Sequence, residues 1–269
     1  MVTRWTARLR LVRLILIGSF LAGCGGVTNA TEPASVPARV NPTFIPSSSP
    51  AAPTDTPQPM LDSIARTYGF PAEIDPAARY LFYLHGRIVE DQGVPAISPE
   101  YGEYEYEAIL EALADYGFVV ISEQRPRNAD GWEYARRGVG QIADLLSAGV
   151  APGRITVVGA SKGAAIAAAI SYLVRNPEVN YVLLGTCHPT TIDEWIQQEL
   201  TFSGNVLAIY DVADDEYSGS CEELFTRSEG RGLGRHSELV LQVGTGHGIL
   251  YQPLDEWVGP TVDWAMQDR

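Results

Sequence analysis

A serine between two glycines is the first feature of this sequence that could carry out chemistry. Gly159, Ser161 and Gly163 follow an apolar run that begins at Ile155, and an alanine-rich stretch comes directly after them. A serine between a strand and a helix projects its hydroxyl above the sheet edge, where the helix dipole favours developing negative charge. The glycines keep side chains out of the tight turn. The pattern predicts Ser161 as a nucleophile, and an ordinary strand-to-helix turn is the alternative.

His247 is the histidine best placed to serve such a nucleophile. It lies in the glycine-rich segment 244–248, directly after the last apolar run of the chain. Ligands and catalytic groups collect at the carboxyl ends of strands in α/β sheets, so this loop is the expected place for a catalytic base. The other histidines are less suitable, because His236 precedes the last predicted strand and His85 and His188 lie in other loops.

Short apolar runs alternating with helical stretches must position these residues. The runs lack polar alternation, which is typical of parallel strands that are buried on both faces. They are Tyr80–Leu84, Phe118–Ile121, Ile155–Val158, Tyr181–Leu184, Val206–Tyr210 and Leu239–Val243. Helices are predicted over 103–116, 130–147, 162–175, 191–200 and 250–267, with Ser98 as a cap before the first of them. The alternation predicts one α/β domain over residues 61–269, a doubly wound, mostly parallel sheet of about six strands with helices on both faces.

Residues 78–269 resemble the α/β-hydrolase superfamily, in particular its esterases and dienelactone hydrolases. Members order their catalytic residues as nucleophile, acid and histidine. The resemblance therefore implies the triad Ser161, Asp214 and His247. Relatives often carry G-x-x-D after the strand that precedes the acid; here Asp211 replaces the glycine and Asp214 takes the place of the acid. Because the acids are clustered, Asp211 and then Asp215 remain alternatives.

The same resemblance implies an oxyanion hole formed by two backbone N–H groups. One belongs to Lys162, the residue after the nucleophile, and the other to Arg87, which follows a His-Gly pair at the end of the first strand. His85 of that pair is expected to orient the loop. From the residues themselves, the Lys162 side chain is expected to be solvated and Arg125 to form a surface ion pair, with recognition of a substrate carboxylate as the alternative for Arg125. The Tyr/Glu run 101–107 is interpreted as a solvated helix start.

The implied activity is that of a serine hydrolase acting on a small or surface-accessible ester, with neither a metal nor an organic cofactor. Only about 20 residues separate the fourth predicted parallel strand from Asn205, so no large lid domain is expected. A serine peptidase acting on short peptides and a non-catalytic binding lipoprotein on the same scaffold are the alternatives. The sequence does not indicate the oligomeric state.

The N-terminus has the features of an export signal. Residues 1–13 are basic, and residues 14–23 are uncharged and too short to span a bilayer as a helix. Leu21–Cys24 resembles the lipobox of bacterial lipoproteins, which implies cleavage after residue 23, lipidation of Cys24 and anchoring on the extracytoplasmic side of a bacterial membrane. Residues 25–60 hold eight of the 18 prolines and few charges, which predicts a disordered tether over 24–60.

Charge and cysteine content limit the other classes. The net charge is −14, and the first 23 residues contribute four arginines and no acid, so the remainder is still more acidic. We therefore do not expect a nucleic-acid-binding surface, because such surfaces are rich in lysine and arginine. Of the three cysteines, Cys187 and Cys221 follow neighbouring predicted strands, and an exported location would permit a disulfide between them. Two free thiols are the alternative.

Overall fold

A parallel sheet of six strands forms the centre of the structure, a computed structural model that describes residues 68–267. The strands lie in the order β4-β1-β5-β6-β7-β8, and every neighbouring pair is parallel. They are β1 (Arg79–Leu84), β4 (Phe118–Ser122), β5 (Ile155–Ala160), β6 (Asn180–Leu184), β7 (Gly204–Asp211) and β8 (Leu233–Leu241). A separate antiparallel hairpin pairs β2 (Ala96–Ser98) with β3 (Gly102–Tyr104).

Helices cover both faces of the sheet. They are α1 (Arg87–Gln92), α2 (Tyr106–Asp115), α3 (Gly131–Ser147), α4 (Lys162–Val174), α5 (Pro189–Gln197), α6 (Glu222–Ser228) and α7 (Asp255–Met266), with 3₁₀ turns at Pro152–Arg154 and Gly246–Leu250. The predicted α/β architecture is confirmed. The predicted signal peptide, the lipidated Cys24 and the tether lie outside the described residues.

Alternating side chains of the strands supply two separate cores. Tyr80 and Phe82 of β1 pack with helices α3 to α6, whereas Leu81 and Tyr83 of the same strand pack with α2 and α7. Successive strand residues point to opposite faces, so a strand that is apolar throughout serves both layers. This explains why the central runs of the sequence lack polar alternation.

The last strand lies earlier in the chain than its apolar run indicates. It was predicted at Leu239–Val243, but β8 runs from Leu233 to Leu241, so His236 lies within the strand rather than before it. β8 is an edge strand, paired with β7 only, and several of its side chains are exposed. Polar residues are tolerated at such positions, so the first part of β8 has no continuous apolar run by which it could be predicted.

The segment predicted as the first helix begins as a hairpin. β2 and β3 precede α2, and the Ser98 hydroxyl accepts hydrogen bonds from the N–H groups of Glu100 and Tyr101, at 3.2 Å each, so it caps the hairpin turn instead of a helix. Tyr104 is buried, so the Tyr/Glu run is not a solvated helix start. The predicted C-terminal helix is likewise shorter, because a 3₁₀ turn occupies Gly246–Leu250 and α7 begins at Asp255.

The turn from β5 into α4 brings the helix against the neighbouring strand. A Cβ atom built on Gly163 would lie 1.8 Å from the carbonyl oxygen of Leu84 in β1, and one built on Gly159 would lie 2.2 Å from the carbonyl oxygen of Gly163. These contacts are with backbone atoms, which cannot move aside as a flexible side chain can. Glycine at both positions is therefore a condition of this turn.

Replacing Gly163 by alanine should disrupt the fold locally at this turn. We expect Gly163→Ala to lower the free energy of unfolding by several kcal/mol, or to prevent folding, since overpacking against rigid neighbours is destabilising. The matched control is Gly140→Ala within α3, where an added Cβ meets nothing within 4 Å. It should stabilise by up to about 1 kcal/mol. Urea unfolding of both variants checks this, and equal stabilities would contradict it.

Candidate active site

Ser161 occupies the turn between β5 and α4 in a backbone conformation that L-residues rarely adopt. Its φ is 53° and its ψ is −118°. The conformation is held by neighbouring backbone: the N–H of Ser161 donates to the carbonyl of Leu184 in β6 at 2.8 Å, and the N–H of Ala164 donates to the carbonyl of Ser161 at 2.8 Å. Strained backbone of this kind clusters at functional sites. The hydroxyl-bearing side chain lines a cleft of about 730 Å³.

His247 lines the same cleft and is paired with an aspartate. Its Nδ1 lies 2.6 Å from Oδ2 of Asp214, and both side chains are buried. A carboxylate accepts hydrogen bonds, so Nδ1 carries the proton of this bond, and the tautomer with its proton there has its lone pair on Nε2. Burial raises the pKa of Asp214, but hydrogen bonds from His247 and Ser218 outweigh this and hold it below its ordinary value. Asp214 is therefore ionised at neutral pH.

The neighbouring acids have different positions. Asp211, which is fully buried, accepts hydrogen bonds at Oδ1 from the N–H of Ala213 at 2.8 Å and at Oδ2 from the N–H groups of Val243 and Gly244 at 2.7 and 3.0 Å. It thereby joins the turn that carries Asp214 to the loop that carries His247. Asp215 is exposed. Of the three candidate acids, the structure brings Asp214 to the histidine.

A disulfide fastens the loop that carries the acid. Cys187 follows β6 and Cys221 precedes α6, and their sulfur atoms are bonded to each other. Beside the bridge, Cys187 pairs with Ser218 in an isolated antiparallel bridge, and the N–H of Gly219 donates to the carbonyl of Thr186 at 2.9 Å. Ser218 in turn donates its hydroxyl to Oδ2 of Asp214. The disulfide and these contacts connect the acid to the loop that follows β6.

The two predicted backbone donors are the first residues of two helices beside Ser161. Arg87 begins α1 and Lys162 begins α4, and both residues line the cleft. The N–H groups of a first helical turn have no acceptor within the helix, so they are available to a ligand. Gly86, just before α1, packs on Ser161: a Cβ atom built on Gly86 would be 3.6 Å from the Cβ of that serine.

A buried ion cluster lies behind these donors, and the sequence interpretation missed it. Glu90 accepts from Nε of Arg125 through Oε1 at 2.7 Å and from Nζ of Lys162 through Oε2 at 2.5 Å. The Arg125 side chain is 1% exposed and that of Lys162 is 18% exposed. The predictions of a surface ion pair for Arg125 and a solvated Lys162 are therefore wrong. Because Lys162 points to Glu90 and to the carbonyl of Ala129, it is not directed at the Ser161 hydroxyl.

His85 joins the loops that follow β1 and β4. Its Nε2 accepts the N–H of Arg125 at 2.9 Å, so the ring proton lies on Nδ1, which donates to the carbonyl of Gly86 at 2.8 Å. The Arg125 guanidinium donates to the carbonyl of His85 as well. Burial, with a contribution from the Arg125 charge, lowers the pKa of His85 from 6.5 to about 4. His85 is thus a neutral residue that orients the loop carrying Gly86 and Arg87.

Aromatic rings and two carboxylates form part of the remaining wall of the cleft. The Tyr217 ring lies against the His247 ring, with 4.8 Å between centroids, and the Tyr101 and Tyr251 rings are 5.2 Å apart. Glu100 and Glu194 lie at the same cleft and are exposed. One nine-residue helix, α5, stands between β6 and β7 on this side.

Within residues 68–267, no group of three or more histidine, cysteine, aspartate or glutamate side chains could hold a metal ion. In that same range, no helix combines the length and the apolar character needed to cross a membrane.

The sequence has no matching family model and no matching curated protein. In structure the chain is similar to SOBER1 of Arabidopsis thaliana, with 13% identity and a TM-score of 0.46 over 71% of this chain and 100% of that chain. It is also similar to the esterase Pf2001 of Pyrococcus furiosus (16% identity, TM-score 0.46, 71% of this chain and 83% of that chain). A third similar structure is Est1E of Butyrivibrio proteoclasticus with ferulic acid bound (11% identity, TM-score 0.45, 70% and 88%). At identities this low the similarity concerns the fold alone and transfers no activity to this chain.

The lowered pKa of His85 predicts a loss of stability in mild acid. The unfolded chain takes up a proton at this histidine below pH 6.5, whereas the folded protein does so only near pH 4. The contribution of His85 is therefore fully present above pH 6.5 and declines as the pH falls. We expect the free energy of unfolding to be about 2 kcal/mol lower at pH 5 than at pH 7.

Urea unfolding between pH 7 and pH 4.5 measures this effect. The control variant is His85→Gln, whose amide oxygen can accept the N–H of Arg125 but does not titrate. Its free energy of unfolding should change less with pH than that of the wild type, whatever its absolute stability. Identical pH dependences for the two proteins would contradict the assignment.

Proposed function

We propose that this protein is a serine hydrolase that cleaves esters through an acyl-enzyme, with Ser161, Asp214 and His247 as its catalytic residues. The observation that carries the proposal is the pairing of a buried aspartate with His247 in the cleft that Ser161 enters from a strained strand-to-helix turn. A serine, a neutral histidine with a free Nε2 and a buried carboxylate behind it are what nucleophilic acyl transfer requires.

The first half of the proposed reaction transfers the acyl group to the protein. The Ser161 oxygen attacks the ester carbonyl while Nε2 of His247 takes the hydroxyl proton. Asp214 keeps the ring in the required tautomer and stabilises the imidazolium that forms. When the tetrahedral intermediate collapses, the carbon–oxygen bond to the alcohol breaks and His247 returns the proton to the departing alcohol.

Water completes the cycle by the same steps. His247 takes a proton from a water molecule that attacks the acyl carbonyl, and the bond to Ser161 breaks as the serine recovers its proton. In both halves the oxyanion is stabilised by the N–H groups of Arg87 and Lys162. Each donor of this kind contributes about 3 kcal/mol in comparable sites. Every group in these proposed steps, apart from the ester and the water molecule, is a side chain or a backbone N–H group of this chain.

The substrate is proposed to be a small or surface-accessible ester. Residues of α5 and of the β2–β3 hairpin line the cleft, and within residues 68–267 the nine-residue α5 is the helix between β6 and β7. A peptidase acting on short peptides is the second candidate, because Glu100 and Glu194, together with nearby rings, could bind a peptide amine. A non-catalytic binding protein is the third.

Hydrolysis of p-nitrophenyl acetate and butyrate tests the proposed function. We expect kcat/KM to fall by about 10⁴-fold or more in Ser161→Ala and His247→Ala and by about 10⁴-fold in Asp214→Asn. The matched control is Asp215→Asn, which removes an exposed charge one position away and should leave the rate close to wild type. A folded wild-type protein without activity, or equal rates in wild type and Ser161→Ala, would reject the hydrolase. Faster cleavage of aminoacyl p-nitroanilides than of the esters would instead favour the peptidase.

We further propose that the protein is exported and anchored to a membrane through lipidated Cys24. Support comes from the sequence alone: the basic and then apolar segment 1–23 and the lipobox-like residues Leu21–Cys24. Two or three acyl chains would make the anchor stable, and residues 25–60 would tether the hydrolase domain to it.

Metabolic labelling with an alkyne-bearing fatty acid tests the anchor. Expressed in a bacterium, the full chain should incorporate the label and partition into a detergent phase, whereas Cys24→Ala should do neither. Gly25→Ala is the neighbouring control and should behave like the wild type. Labelling of the Cys24→Ala variant at the wild-type level would contradict the proposal.

A further inference from the structure

We propose that Glu90 is a positioning residue of the oxyanion hole. It joins α1, the helix that begins with the proposed donor Arg87, to the side chain of Lys162, the other proposed donor. This inference rests on the proposed function. Glu90 belongs to α1, which begins at Arg87, and its Oε2 binds Nζ of Lys162 at 2.5 Å. The two proposed N–H donors are thus connected through a single carboxylate.

Glu90 is the buried polar residue in the first turn of α1, whereas the two hydrogen bonds between Gln92 and Ile97 of β2 hold the other end of the helix. The helix has six residues, no side chain caps its N-terminus, and its buried residues are Val89 and Glu90. Arg87 and Glu90 are three positions apart and so lie on the same side of the helix. A rotation or shift of α1 at Glu90 would therefore displace the N–H of Arg87. A misplacement of about 1 Å near the reacting atoms can cost about 10²-fold in rate.

Both oxygens of the carboxylate are engaged, one with Lys162 at the cleft and the other with Arg125 in the loop after β4. Oε1 binds Nε of Arg125 at 2.7 Å, and Arg125 in turn donates its backbone N–H to His85, two residues before Arg87. Lys162 is held from a second side by the carbonyl of Ala129, at 2.7 Å from Nζ. The cluster therefore ties together the loops after β1 and β4 and the first turn of α4.

Stability alone gives no reason to bury these charges. The free-energy cost of desolvating two charges is often about as large as the attraction between them. Apolar side chains of similar volume therefore often stabilise a fold equally well. The Glu90 side chain is 1% exposed. A requirement for fixed geometry at the site accounts for the charges, because a carboxylate with two directed partners sets both distance and angle.

The direction in which Glu90→Gln changes the rate distinguishes a positioning role from an electrostatic role of the cluster. With Arg125 and Lys162 cationic and His85 neutral, the cluster has one excess positive charge, and Glu90→Gln would add another. A purely electrostatic role of the cluster would then make the variant better at stabilising an oxyanion. The positioning role predicts the opposite, because glutamine replaces one of the two acceptor oxygens by an NH2 group, which cannot accept a hydrogen bond from a cation.

The test compares Glu90→Gln and Lys162→Met with the wild type. Lys162→Met removes the contact between Glu90 and Lys162 but leaves the backbone N–H of residue 162 and the Glu90–Arg125 pair in place. It therefore still tests the inference if Glu90→Gln does not fold. For p-nitrophenyl butyrate we expect kcat to fall by about 10- to 100-fold with little change in KM. The inhibition constant of a trifluoromethyl ketone, which forms an oxyanion on Ser161, should rise by a similar factor. The double variant should lose little more than either single one.

Glu123→Gln is the matched control, because it breaks the exposed pair with Arg137 after β4 and should leave kcat unchanged. The inference is overturned if folded Lys162→Met is as fast as an active wild type, or if its KM rises while kcat is kept. An increase of kcat in folded Glu90→Gln would overturn it too. An inactive wild type would reject the proposed function itself, a result that differs from all of these.

Discussion

The close approach of α4 to β1 is the constraint on which the rest of the site depends. Only glycine at position 163 lets the helix begin so near the carbonyl of Leu84, and this start turns Ser161 out of the sheet with a positive φ. The same geometry places Lys162, the first residue of α4, at the cleft, and the side chain of Lys162 binds Glu90. A single steric condition therefore fixes the serine, one proposed donor and one end of the ion cluster.

Residues outside the proposed triad hold Asp214 and His247 in place. Asp211 binds backbone N–H groups from both the acid turn and the histidine loop, and the Cys187–Cys221 disulfide fastens the loop behind Asp214. Loops at the carboxyl end of a sheet are the least constrained part of an α/β domain. Buried hydrogen bonds and a covalent bridge fix these loops, as the proposed catalysis would require.

The parts of the fold that follow from local pattern could be predicted from sequence. Apolar runs identified the six parallel strands because burial on both faces removes polar alternation, and the glycines around Ser161 identified the turn. The start of β8 was missed because an edge strand tolerates polar residues such as His236. The Glu90–Arg125–Lys162 cluster was missed because each partner alone has the features of an exposed charge. The adjacency of β1 and β4 brings the loops that carry Glu90 and Arg125 together, and an expected strand order could have revealed it.

The central claim is that the turn between β5 and α4 presents Ser161 as a nucleophile, and covalent trapping tests it most directly. After reaction with a fluorophosphonate, mass spectrometry of the digested protein should find one phosphonyl group, on the peptide that contains Ser161. The Ser161→Ala variant should remain unmodified. A folded wild-type protein that stays unmodified, or an adduct at another residue, would contradict this account.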